Sequence, residues 1–142
     1  VYSYSLETLQ IPAKQMFAVG QSVGSGPACY LAEHEQLAGL ILISPLTSVY
    51  RVGFGYPIFP CDRFPNIKRI SNITEPLMVI HGDEDEIIPL QHGKTLIDLH
   101  SGSNVIHKLT GRGHNDIYGS TSEELLSSIQ LFNDFTSGHS SK

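Results

Sequence analysis

The sequence lacks the features that would place it in several large classes at once. No apolar run approaches the roughly 18 residues that a membrane span requires. No Lys/Arg tract exists beyond Lys68-Arg69, and the formal net charge is −5, so nucleic-acid binding has no electrostatic footprint. The only cysteines are Cys29 and Cys61, too few for a disulfide framework. A basic-then-apolar leader is missing as well, because the first residues mix polar and aromatic side chains. The expectation is a reduced, cytoplasmic chain with Cys29 as a buried free thiol on the apolar side of a helix. Charged residues are also sparse at 16%, against 40% hydrophobic residues, which excludes a disordered chain and supports a packed core.

What is present is an alternation of apolar runs with helical patterns. "QMFAVG" (15–20), "AGLILIS" (38–44), "PLMVIHG" (76–82) and "NVIHKLTG" (104–111) read as strands. "GSGPACYLAEHE" (24–35) reads as a helix, with Pro27 in its first turn, where backbone N–H groups have no partner anyway. Helical patterns also fill 89–100 and 121–135, with Thr121 placed to cap the last. The first ten residues read as the end of a helix leading into the first strand. Strands that are apolar throughout and alternate with helices imply a parallel α/β sheet covered on both faces. One domain is expected over 1–136, followed by a tail at 137–142. Residues 45–75 are the irregular part and hold four of the eight prolines. Asn72-Ile73-Thr74 matches a glycosylation sequon, a triplet that is common by chance.

The first strand ends in Gly20-Gln21-Ser22-Val23-Gly24, a Gly-x-Ser-x-Gly pentad that a helix follows. A serine nucleophile needs such a strand–turn–helix setting, with small neighbours that permit a strained turn. The helix N-terminus then favours developing negative charge near the serine. A dinucleotide loop is the rival reading, because Gly24-Ser25-Gly26 also follows a strand. It fails because Cys29 stands at the third glycine position and no acidic residue ends the next strand, where Ser44 stands.

A nucleophilic serine needs a base, and the base needs an orienting acid. In the strand–turn–helix arrangement their chain order is Ser, then Asp or Glu, then His. The third strand leads into an acidic loop with Asp83, Glu84, Asp85 and Glu86, among which spacing does not choose. The fourth leads into "LTGRGHNDIYG" (109–119), where His114 sits in a glycine-flanked loop. His34, His92 and His100 fall on helices, His81 and His107 in strands, and His139 in the tail, all blander positions. A metal site from His81, Asp83 and Asp85 is conceivable but unsupported by His-x-x-x-His or Cys-pair spacing. No metal and no cofactor is expected.

Taken together, "GQSVGSGP" (20–27), "SPLTS" (44–48), "CDRFPNI" (61–67), "IHGDEDEIIPLQHG" (80–93) and "GHNDI" (113–117) resemble the α/β-hydrolases. More narrowly, the chain resembles the α/β-hydrolase-domain-containing protein 17 family of protein depalmitoylases. The resemblance implies a truncated α/β-hydrolase fold: about four parallel strands flanked by helices, with the N-terminal strands absent. It implies Ser22 as nucleophile, Asp85 as acid through His-Gly-x-x-Asp-x-x-Ile, and His114 as base. The Val23 N–H would be one oxyanion donor, and the other would come from a loop after the third strand of the whole fold, which this sequence lacks. In the family's strand order the strand before the nucleophile pairs with one also lacking here, which would leave "QMFAV" as an apolar edge. The chain would then be the C-terminal half of a longer hydrolase.

The function implied is cleavage of (thio)esters, with an acylated protein or a small ester as substrate. A peptidase or small-molecule esterase on the same fold is the alternative, as is an impaired fragment acting as an interaction module. Tyr50, Phe54, Tyr56, Ile58 and Phe59 are candidates to line an acyl groove or, more simply, to cap the core. The family's lipid-bearing cysteines lie upstream of anything present here. Peripheral attachment at the cytosolic face of membranes stays open through that region.

Overall fold

Two runs, Gly39–Ile43 and Leu77–Gly82, are so apolar that they fit only where both faces are covered. In the computed structural model, which describes residues 1–49, 64–118 and 122–139, every residue of both runs is buried. They are β2 (Gly39–Ile43) and β3 (Leu77–Gly82), the inner strands of a four-stranded sheet. β1 (Phe17–Gln21) and β4 (Asn104–Leu109) lie outside them, in the order β1-β2-β3-β4. All three pairings are parallel, with Ala18 opposite Leu40, Leu42 opposite Val79, and Ile80 opposite His107.

Parallel neighbours need crossovers, and the helices supply them. Of the helices α1 (Tyr2–Glu7), α2 (Ser25–His34), α3 (Asn66–Arg69), α4 (Gln91–Leu99) and α5 (Ser122–His139), α2, α3 and α4 lie between successive strands, while α1 precedes β1 and α5 follows β4. Side chains alternate along β2. Leu40 and Leu42 join Ala28, Cys29 and Leu96 in a cluster under α2 and α4. Ile41 and Ile43 join Leu125 and Phe132 in a second cluster under α5. Phe132 also reaches β1, its ring centroid 6.0 Å from that of Phe17.

The elements match the sequence reading to within a few residues, and each difference has a local cause. β1 starts at Phe17 because Ala13–Gln15 form a 3-10 turn. β4 stops at Leu109, before Gly111 turns the chain at φ +69. α5 runs to His139, past the expected 135 and into the segment read as tail. Thr121, Cys61 and the aromatic set Tyr50, Phe54, Tyr56, Ile58 and Phe59 lie outside the described residues. Cys29 is wholly buried, and burial pushes its thiol up to about 12 against the pull of nearby Arg69. It stays protonated and inert at neutral pH. The sequon's Asn72 side chain donates to Glu33 at 2.9 Å.

Among the described residues β1 pairs only with β2. Val19 on this strand is 58% exposed. A groove of about 620 Å³ runs beside it, lined by Tyr2, Met16, Val19, Leu31 and Leu37 among others. No described helix is long and apolar enough to cross a membrane.

Candidate active site

Ser22 stands where β1 gives way to a 3-10 turn, Ser22–Gly24, which runs into α2. Its φ is +51, the left-handed region that side chains avoid. Such a residue typically stores about 1–3 kcal/mol of strain and persists only when its surroundings hold it. Gly20 permits the turn: a Cβ there would lie 2.5 Å from the Gly24 carbonyl oxygen and 2.7 Å from Ala28 Cβ. Gly24, the second glycine of the pentad, has open space instead. The next tight position is Gly26, where a Cβ would meet the Phe64 ring at 2.3 Å.

Buried polar side chains hold the turn from beneath. Ser25 Oγ donates to the Ser22 carbonyl at 2.6 Å. Asn66, wholly buried at the start of α3, donates to Ser25 Oγ and to the Leu46 carbonyl, each at 2.9 Å. Thr47 donates its N–H to His92 Nδ1 at 3.2 Å, and its carbonyl accepts from the Ile67 N–H at 2.9 Å. The "SPLTS" and "FPNI" stretches therefore converge on the serine turn. Sequence reading noted them only as marks of resemblance. Nothing in the surrounding stretch "CDRFPNIKRI" (61–70), which is itself rich in charged residues, singles out Asn66.

His114 approaches from the far side of the sheet, on the loop after β4. Its Nε2 lies 3.0 Å from Ser22 Oγ and its Nδ1 2.7 Å from Asp85 Oδ2. A carboxylate only accepts, so Nδ1 carries the proton and Nε2 is left to accept from the serine hydroxyl. The loop is anchored by wholly buried Ile117 and by Tyr118, whose hydroxyl donates to Gln21 Oε1 at 3.0 Å.

Asp85 is the buried member of the acidic loop, whereas Glu84 and Glu86 are exposed. Its Oδ1 accepts the Ile87 and Ile88 N–H groups at 3.0 and 2.7 Å. Burial drags its pKa upward, but the Ile88 N–H and then His114 outweigh that, and the carboxyl sits below its ordinary value. Ser44, strained at φ +42 just after β2, adds a weaker pull from its hydroxyl. Asp83 is occupied elsewhere. It pairs with Lys108 at 3.0 Å and accepts the Gly111 N–H at 2.7 Å. Lys108 foremost, and Gly111 after it, hold its carboxyl below the usual range. Asp83 thus braces the loop that carries His114.

The Val23 N–H follows Ser22 at the start of the 3-10 turn, where the first N–H groups have no partner within the turn. His81 lies closer to the site than its strand position suggested: its Nε2 is 3.5 Å from Asp85 Oδ2. Among the described residues no group of three His, Cys, Asp or Glu side chains is arranged to hold a metal ion.

No family model matches the chain. It is 40% identical over 119 residues to human alpha/beta hydrolase domain-containing protein 17B, an overlap covering 81% of this chain and 41% of that protein. It is 38% identical over 109 residues to the Caenorhabditis elegans alpha/beta hydrolase domain-containing protein aho-3, covering 75% of this chain and 33% of that one. The chain therefore spans about two fifths or less of these relatives' lengths. Among solved structures, a monoacylglycerol lipase of Paleococcus ferrophilus superposes with a TM-score of 0.70 at 15% identity, over 94% of this chain and 72% of that one. The chain has the α/β-hydrolase fold and is homologous, over four fifths of its length, to part of the alpha/beta hydrolase domain-containing protein 17 proteins.

Proposed function

We propose that this chain carries the acid, base and nucleophile of a serine hydrolase acting on (thio)esters. The observation that carries the reading is the continuous hydrogen-bonded chain from Ser22 Oγ through His114 to Asp85, with Ser22 held at positive φ. In this reading Ser22 attacks the carbonyl carbon while His114 Nε2 takes the hydroxyl proton. Asp85 keeps the imidazole in the right tautomer and stabilises the imidazolium. The oxyanion collects at the Val23 N–H, beside the free N–H groups of the turn. His114 then returns the proton to the departing thiol or alcohol, and water releases the acyl group from Ser22 by the same steps in reverse order of roles.

The homology supports a hydrolase, and the resemblance to depalmitoylases makes an S-acylated protein the proposed substrate. The segment of fold that the relatives have and this chain does not span is the proposed source of the second oxyanion donor. Losing one such donor typically costs roughly 10²–10³ in rate, so this chain should react with an activated probe far better than it turns over a thioester. A fluorophosphonate probe provides the test. The expected result is labelling of the chain that disappears in Ser22→Ala. A well-folded chain that takes no probe would reject the enzyme in favour of an interaction module. Comparing release of an acyl thioester with cleavage of a peptide then separates thioesterase from peptidase.

A further inference from the structure

His81 is wholly buried in β3, a strand otherwise apolar up to Gly82. Strand alternation turns it to the α2/α4 face, where a Cβ on Gly93 would lie 2.7 Å from its Nδ1. That nitrogen has no hydrogen bond among the described residues. Burial lowers the imidazole's affinity for a second proton, despite the Ile88 carbonyl and Asp85 pulling the other way. The neutral ring carries its one proton on Nε2, which faces the Ile88 carbonyl oxygen at 2.8 Å, a group that only accepts. Packing does not account for this residue, because a leucine would fill the site without leaving a buried nitrogen unpaired.

The bond to Ile88 does account for it. The Ile88 carbonyl is held by His81, while the Ile88 and Ile87 N–H groups hold Asp85 Oδ1. The 85–88 turn is pinned on both sides, and Asp85 Oδ2 is left to face His114 at 2.7 Å with His81 Nε2 3.5 Å behind it. We propose that His81 is a positioning residue for the acid: its Nε2–H fixes the turn that presents Asp85 to His114. The proposal rests on the reading of Ser22, His114 and Asp85 as the reacting groups.

The test uses two readouts. One is the far-downfield imidazole proton resonance of His114 Nδ1–H, which reports the bond to Asp85 without any turnover. The other is the rate of fluorophosphonate labelling. His81→Leu, folded by circular dichroism, should lose the resonance and label about 10- to 100-fold more slowly, the scale of a small misplacement of a reacting group. His81→Gln, whose amide nitrogen stands near the place of Nε2, should restore the resonance and label about tenfold faster than His81→Leu. A folded His81→Leu that keeps the resonance overturns the proposal. So does a His81→Gln that behaves like His81→Leu, or a wild-type chain with no such resonance. If His81→Leu does not fold, Gly93→Ala replaces it by pressing on the ring from behind, and a full-strength resonance in that variant overturns the proposal. A wild type that shows the resonance but takes no probe refutes acyl transfer alone.

Discussion

At the scale of single residues, the site separates groups that the sequence leaves equivalent. Four acidic side chains lie within 83–86, and their surroundings set them apart. Asp85→Asn should slow probe labelling by up to roughly 10⁴-fold, because the amide favours the wrong tautomer of His114. Asp83→Asn should slow it only mildly, since it loosens a brace and leaves the reacting groups in place. Equal losses in the two variants would contradict the assignment of the acid. The pH dependence carries a definite sign. The Asp85 carboxyl is lowered in the fold, so its contribution to stability is present above the ordinary carboxylate value near ~3.9 and lost as pH falls through its lower folded value. The gap in thermal midpoint between wild type and Asp85→Asn should therefore shrink steadily on acidification. The glycines also part company. Gly26→Ala drives a methyl into the Phe64 ring and should cost about 1–3 kcal/mol. Gly24→Ala meets nothing and should be neutral or slightly stabilising in urea unfolding.

At the scale of elements, the strands and helices were legible because the apolar runs of β2 and β3 and the helical patterns between strands leave few alternatives. Boundaries shifted where a local turn competed, as at Ala13–Gln15, or where the helical pattern ran on past 135. That Ser22, Asp85 and His114 meet in one hydrogen-bonded chain was foreseeable, because strand-end placement and chain order narrow the choice and the motif resemblance completes it. His81, Asn66 and Ser25 were not. Their importance lies in hydrogen bonds between residues up to 41 positions apart, and no periodicity encodes those. Asn66 illustrates what was hidden. Asn66→Ala strips donors from Ser25 Oγ and the Leu46 carbonyl and should cost about 1–3 kcal/mol. Probe labelling should fall as well, because Ser25 is the group that holds the Ser22 carbonyl. A variant destabilised in urea with labelling unchanged would show that the network serves the fold alone.

At the scale of the whole molecule, the sheet has two unlike edges. β4 carries Lys108, and an edge lysine discourages pairing with another chain. β1 offers exposed Val19 beside an apolar groove, with no charge on the strand. Self-association at high concentration should therefore run through β1. Val19→Lys should suppress it in sedimentation velocity, whereas Val105→Lys on β4 should not.

The same strand order shapes how the site comes into being. Every strand pairs with its neighbour in the chain, so the sheet can assemble by short steps from any starting pair. Ser22 follows the strand at one border and His114 the strand at the other, 92 positions apart. Their meeting closes one of the long loops of the fold, as does the contact of Phe132 with Phe17, and so belongs to the late events of folding. A molecule frayed at either border retains most of its helix and sheet but loses the Ser22–His114 hydrogen bond. In rising denaturant, probe labelling should then disappear before the circular dichroism signal, and during refolding it should return after it. Ser22 is in this sense a clock for the completion of the fold.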